Sequence, residues 1–113
     1  MRLTKGESEI LLHRLEATDA IAECLCEDDG TLDYNDVFAC AESLLVTVRD
    51  TSRVRDDLSE MEKMVLENCL SASVFATLEE PGSKSHRSAV RRGQGLCRKM
   101  APLLGRLVTF PVE

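Results

Sequence analysis

The feature that most constrains this chain is a run of apolar residues at helical spacing between positions 37 and 48. Six apolar side chains occupy positions i, i+1, i+4, i+7, i+8 and i+11: Val37, Phe38, Ala41, Leu44, Leu45 and Val48. Because a helix turns once in 3.6 residues, this spacing places all six on one face. The pattern predicts an amphipathic helix that begins near Asp33, and that helix must bury its apolar face against other elements.

Two further helices are predicted from their first residues. In a capping box, a Ser or Thr hydroxyl accepts a backbone N–H, and a Glu three residues later accepts the N–H of the cap residue. The chain has this arrangement at Thr4 with Glu7 and again at Ser59 with Glu62. The first box predicts a helix that ends before Gly30, and the second predicts a helix that follows Ser59.

A fourth helix is predicted between residues 84 and 102. Its apolar stripe consists of Ala89, Val90, Gly93, Leu96, Cys97 and Met100. Pro102 cannot donate a backbone N–H, so we expect the helix to end or kink there. Gly93 lies on the stripe, where its missing side chain lets another backbone or a partner approach closely. The tail, residues 107–113, is predicted to be an extended strap.

These elements predict an all-α fold: a small four-helix bundle of two antiparallel helical hairpins in one domain, residues 1–113. The hairpins span residues 3–50 and 58–106, and the polar run 49–57 connects them. Residues 3–23 align with 58–78 at a shift of 55, and the apolar stripes of the second and fourth helices align at a shift of 52. An internal duplication explains these matches, and so does chance similarity between amphipathic helices.

Charge is distributed unevenly along the chain. Residues 1–80 hold seven basic and 19 acidic side chains, whereas residues 81–113 hold seven basic side chains and one acidic. Arg91 and Arg98 are seven residues apart and share a helical face, while Arg92 and Lys99 form an adjacent row. The predicted partner-binding residues are Arg87, Arg91, Arg92, Gln94, Arg98 and Lys99. The alternative is that these residues only neutralise the acidic helices.

No catalytic, metal-binding or cofactor-binding residue is predicted. Cys24 and Cys26 lie two apart on a predicted helix, so their thiols point about 200° apart and cannot converge on one zinc ion. We expect all five cysteines to be reduced thiols near the core and both histidines, His13 and His86, to lie on the surface. The odd cysteine count and the lack of a signal-like segment favour a cytoplasmic protein, and no apolar run predicts a membrane span.

The sequence therefore favours a non-enzymatic protein-binding module, an accessory or inhibitor protein that acts through charged helical surfaces. Phage- or plasmid-type proteins directed at nucleic-acid-handling machinery are one such class, because acidic surfaces can bind basic partners. One alternative is a nucleic-acid-associated protein that contacts phosphates through its basic fourth helix. Another is a small enzyme or metal-binding bundle. A homodimer formed by hairpin exchange is a variant of the predicted fold.

Overall fold

A computed structural model of the chain describes residues 1–112, which fold into five α-helices and contain no β-strand. The all-α prediction is confirmed. The helices are α1 (Lys5–Leu15), α2 (Thr18–Asp28), α3 (Tyr34–Thr51), α4 (Glu60–Ser71) and α5 (Lys84–Leu104), with a short 3-10 turn at Phe75–Leu78. Residues 3–50 and residues 58–106, the two predicted hairpins, both contribute buried side chains to one core.

Both predicted capping boxes are present, and they set where α1 and α4 begin. At α1, the Glu7 N–H donates to Thr4 Oγ1 over 3.2 Å and the Thr4 N–H donates to Glu7 Oε1 over 2.8 Å. The Ser59–Glu62 pair repeats the arrangement at 3.1 and 2.9 Å. Asp33 caps α3 as predicted, because its carboxylate accepts the N–H of Asp36 at 3.1 Å.

The segment predicted as one helix from Thr4 towards Gly30 is two helices, α1 and α2, joined at Glu16 and Ala17. Ala17 leaves the helical conformation, with φ −96° and ψ 56°. A continuous helix would place Thr18 and Asp19 on the face that buries Leu15, because they follow it by three and four residues. The break leaves Asp19 exposed and Thr18 half-buried, while Ile21 and Ala22 still reach the core.

The expectation that α5 ends or kinks at Pro102 is wrong about the end, because the helix continues to Leu104. Pro102 lies in the last turn, where its missing N–H removes a single helical hydrogen bond. Burial of Leu104 in the core stabilises that turn. Gly105 then ends the helix in the left-handed conformation, at φ 81°, which glycine adopts at little cost.

The predicted connection between the hairpins is attached to the start of the chain. α3 extends to Thr51, and the N–H groups of Leu3 and Val54 donate to the carbonyls of Ser52 and Met1 over 2.8 and 2.9 Å. Val54 itself is buried. The polar run is therefore an ordered part of the fold.

The end of the chain returns along α5 as an extended segment. We call residues 107–112 the strap; the last residue of the predicted tail, Glu113, lies outside the described residues. Val108 and Phe110 are buried, whereas Leu107 and Thr109 are exposed. This alternation is that of an extended strand with one side packed on the protein.

Candidate functional site

The six predicted partner-binding residues of α5 lie on two different flanks of the helix. Arg92 and Lys99 form the flank that faces α1. Lys99 Nζ donates to Glu7 Oε1 over 2.8 Å and to the Arg2 carbonyl over 2.7 Å. The Arg92 guanidinium lies 5.6 Å from the centroid of the Phe75 ring, a cation–π contact. Both side chains therefore hold α5 against neighbouring parts of the fold.

The contact with Lys99 is reflected in the acidity of Glu7. Burial alone would raise the pKa of this carboxyl group, because it disfavours the charged form. The hydrogen bonds from Lys99 and from the Thr4 backbone outweigh burial, and the pKa of Glu7 is lowered. Glu7 thus serves both the cap of α1 and the attachment of α5.

The opposite flank carries Arg87, Arg91, Gln94 and Arg98, which follow one another at i, i+4, i+7 and i+11 and are all exposed. We call Arg87, Arg91 and Arg98 the basic row. The Arg87 guanidinium donates to the Gly82 carbonyl. Among residues 1–112, the ion pairs are the following: the Met1 amine with Asp56, Arg49 with Asp50, Arg55 with Asp57 and Glu62, Lys63 with Glu60, Lys99 with Glu7, and Arg106 with Glu67. None of these pairs includes a member of the basic row.

The strap and α5 enclose a shallow groove beside the basic row. One depression of about 380 Å³ lies between the strap and the side chains of Gln94, Cys97 and Arg98. A second, of about 350 Å³, shares Gln94 and Val112 with the first and continues along α5 past Val90, Arg91 and Arg87. The side chains of Leu107 and Val112 are 63% and 48% exposed. The groove therefore combines an apolar wall with a basic rim.

The groove has a fixed wall because Phe110 is seated in a notch at Gly93. A Cβ atom at Gly93 would overlap ring carbons of Phe110, which is 3% exposed. The sequence predicted a close approach at Gly93 by another backbone or a partner. The approaching group is instead an aromatic side chain from the chain's own strap.

The cysteines are free thiols, and Cys69 and Cys97 are buried. Burial raises the pKa of Cys69 to about 12 and also raises the pKa of Cys97. The half-buried Cys24 accepts a hydrogen bond from Asn68 Nδ2, 3.2 Å from its Sγ. Within residues 1–112, no three His, Cys, Asp or Glu side chains are placed to hold a metal ion.

Both histidines reach the surface only in part, because each is half-buried and has a specific neighbour. The His13 ring meets the edge of Phe75, with ring centroids 6.0 Å apart. His86 Nδ1 lies 2.9 Å from the Ala76 carbonyl oxygen. His86 also lines the end of the groove near Arg87.

The sequence reasoning missed the apolar wall of the groove. It identified the basic residues but not Val90, Leu107 and Val112. The available signal was the tail itself, where the order Leu107, Val108, Thr109, Phe110 gives an alternating pattern in which only the even positions become buried. An extended segment with one buried side has to leave its other side chains towards solvent.

Comparison with known proteins gives no relative from which a role can be carried over: no family model, curated protein or solved structure matches the chain. Across residues 1–112, none of the helices has both the length and the apolar character that crossing a membrane requires.

Proposed function

We propose that this chain is a non-enzymatic protein-binding module of the cytoplasm, and that the groove between the strap and α5 is its binding surface. The observation that carries the proposal is the basic row: three exposed arginines without a carboxylate partner among residues 1–112, beside exposed Leu107 and Val112. Arginine next to apolar side chains is a composition typical of protein interfaces.

The kind of partner is inferred from a second charged surface, which is acidic. The end of α2 and the start of α3 expose Glu27, Asp28, Asp29, Asp33 and Asp36. A surface of this kind suits a basic partner such as a protein that handles nucleic acid. We therefore propose an accessory or inhibitor role of the phage or plasmid type. The groove binds the partner protein, and the acidic surface at the end of α2 and the start of α3 repels the nucleic acid that the partner would otherwise bind.

The basic row also supports a second candidate, direct contact with nucleic acid. Three arginines along one helical face can follow a phosphate backbone without reading bases. The groove favours protein over nucleic acid, however, because neither of its rings is open for a base to stack on: Phe110 is buried, and His86 is half-buried with Nδ1 against the Ala76 carbonyl oxygen.

Affinity capture tests both candidates. The chain and its Arg91→Gln/Arg98→Gln variant would be used as bait in a lysate of the source organism, with and without nuclease. Arg2→Gln/Arg53→Gln is a matched control, because Arg2 and Arg53 are also exposed and meet at an isolated bridge away from the groove. We expect a protein that resists nuclease, is lost with the first variant and is retained with the control.

Two other results would contradict the proposal. Capture that disappears after nuclease treatment, or that falls steeply with added salt, would indicate nucleic-acid binding. Equal capture by all three baits would place the functional surface elsewhere, and the acidic end of α2 and α3 would be the next candidate.

We also propose that the two halves of the fold, residues 3–50 and 58–106, arose by internal duplication of a helical hairpin and that the first half has since gained the break between α1 and α2. Pairs matched at a shift of 55 are buried in both halves: Leu3 and Leu58, Ile10 and Val65, Leu11 and Leu66, and Leu15 and Leu70. At a shift of 52, Val37, Ala41, Leu44 and Val48 correspond to the buried Ala89, Gly93, Leu96 and Met100. Sequences of diverged homologues test this proposal, since a duplication predicts resemblance at these two shifts and at no others.

A further inference from the structure

The strap has an unusual combination of a packed side and an unpaired backbone. Val108 and Phe110 are buried against the protein. Yet the backbone hydrogen bonds found outside the helices of residues 1–112 involve none of the residues from Leu107 to Val112. The strap is therefore an extended segment whose backbone N–H and C=O groups have no backbone partner among residues 1–112. An unpaired backbone edge of this kind is a template for pairing with another chain.

We propose that the groove accepts an extended acidic segment of a protein partner, which pairs with the strap as an added β-strand beside the basic row. This inference rests on the proposed function and gives it a partner chemistry and a mode of binding. Main-chain hydrogen bonds to the strap supply a sequence-independent part of the affinity, as in other cases of strand addition. Carboxylates that reach the basic row supply selectivity for acidic segments.

The dimensions of the groove fit an extended segment. Arg87 and Arg91 are four residues apart on α5, which is about 6 Å along the helix axis. Alternate residues of a strand, whose side chains share a face, are about 6.7 Å apart. Acidic residues at alternate positions therefore match the spacing of Arg87 and Arg91. Pro111 has no N–H and can pair only through its carbonyl oxygen, so it weakens only the edge that it shares with Leu107 and Thr109. Beyond Val112 the groove continues towards Arg91.

A second copy of this chain fits the groove less well. Pairing two straps would bring two basic rows together, and like charges at close range oppose such a complex. The charge of the rim therefore selects an acidic occupant, although the strap edge by itself would accept either.

The test uses synthetic peptides and the full chain. The probe is a labelled ten-residue peptide in which Glu and Val alternate, and its binding is measured by fluorescence anisotropy. Two further versions carry N-methyl groups on every odd or every even residue. Because successive N–H groups of a strand point to opposite edges, a paired strand should lose binding in one N-methylated version and keep it in the other.

Charge is tested with the same probe. We expect Arg91→Gln/Arg98→Gln to weaken binding about tenfold or more, and the matched control Arg2→Gln/Arg53→Gln to leave it within about twofold. A peptide with Lys in place of Glu should not bind. Circular dichroism of both variants checks that they remain folded.

Each other outcome overturns the inference. Failure of the parent peptide to bind, or an equal response of the two N-methylated versions, would exclude strand pairing. Binding of a single-stranded oligonucleotide instead of the peptide would favour nucleic acid, and a dimer in sedimentation that Leu107→Pro abolishes would show that a second copy covers the strap. If capture in a lysate depends on Arg91 and Arg98 while the peptides fail, the mode of binding is wrong and the proposed function stands.

Discussion

The two flanks of α5 carry the same kind of charge but have different roles. On the α1-facing flank, Lys99 reaches Glu7 and Arg92 covers Phe75. On the groove flank, Arg91 and Arg98 are exposed and lack a carboxylate partner among residues 1–112. The difference shows that basic residues close in sequence can have different roles. A basic side chain stabilises the fold where another element packs against it, and it is free to bind a partner where none does. Here the deciding residue, Glu7, lies about 90 positions away.

The largest expected effect comes from removing the wall of the groove flank. Phe110→Ala should lower the free energy of unfolding by about 3–5 kcal/mol, because a buried phenyl ring leaves a cavity behind. Leu107→Ala is the matched control on the exposed side of the strap, and it should change stability by less than about 0.5 kcal/mol. Urea denaturation measures both. Equal effects of the two substitutions would mean that the strap is not docked on α5.

The next largest effect is a difference in stability between alanine substitutions at the two glycines of α5. Gly93→Ala should destabilise the protein by about 1–3 kcal/mol, because the new methyl group overlaps Phe110. Gly95→Ala should instead stabilise it by up to about 1 kcal/mol, since the nearest atom to its Cβ, Nη2 of Arg98, is 4.0 Å away and alanine favours the helix.

Combining Gly93→Ala with Phe110→Ala tests whether overlap with the Phe110 ring is what destabilises the Gly93→Ala variant. The double variant should lose less stability than the sum of the two single variants, because the methyl group no longer meets a ring. Thermal or urea unfolding of the four proteins gives the coupling. Strict additivity would show that Gly93 and Phe110 act independently.

The α1-facing flank is tested by the pH dependence of stability. Because the pKa of Glu7 is lowered in the folded protein, its contacts stabilise the fold above the ordinary pKa of 4.5, and this contribution is lost as the pH falls through the lowered value. Lys99→Gln should therefore cost up to about 1 kcal/mol at pH 7 and less below pH 4. Urea midpoints at pH 7 and pH 3 measure the difference. A cost that does not change with pH would assign the role of Lys99 to its bond with the Arg2 carbonyl.

Local signals in the sequence predicted the beginnings of the helices well. Thr4 with Glu7, and Ser59 with Glu62, act within a single turn, so the sequence alone was sufficient to locate α1 and α4. The break at Ala17 was not predicted, because no glycine or proline marks it. It arises from the tertiary requirement to keep Asp19 out of the core while Leu15 and Ile21 enter it.

The candidate site was predicted only in part, for a similar reason. Helical spacing correctly separated Arg91 and Arg98 from the adjacent row of Arg92 and Lys99. Which row would meet a carboxylate depended on the packing of α1 against α5, which no local pattern encodes. The groove forms only because the strap packs back along α5, and no local pattern in the sequence predicts that packing. Gly93 was the one residue that indicated a close contact there.

The smallest expected effect on stability is also the sharpest test of the comparison. Arg91→Gln/Arg98→Gln should change the free energy of unfolding by no more than about 0.5 kcal/mol, because neither arginine has an ion pair among residues 1–112 to lose. Urea unfolding at low and physiological salt measures the change, with Arg2→Gln/Arg53→Gln as the control of equal charge. A loss of more than about 1 kcal/mol that salt abolishes would mean that the basic row stabilises the fold by neutralising the acidic helices. The two flanks of α5 would then share one structural role, and the groove would lose the unpaired charge on which its assignment as a binding surface depends.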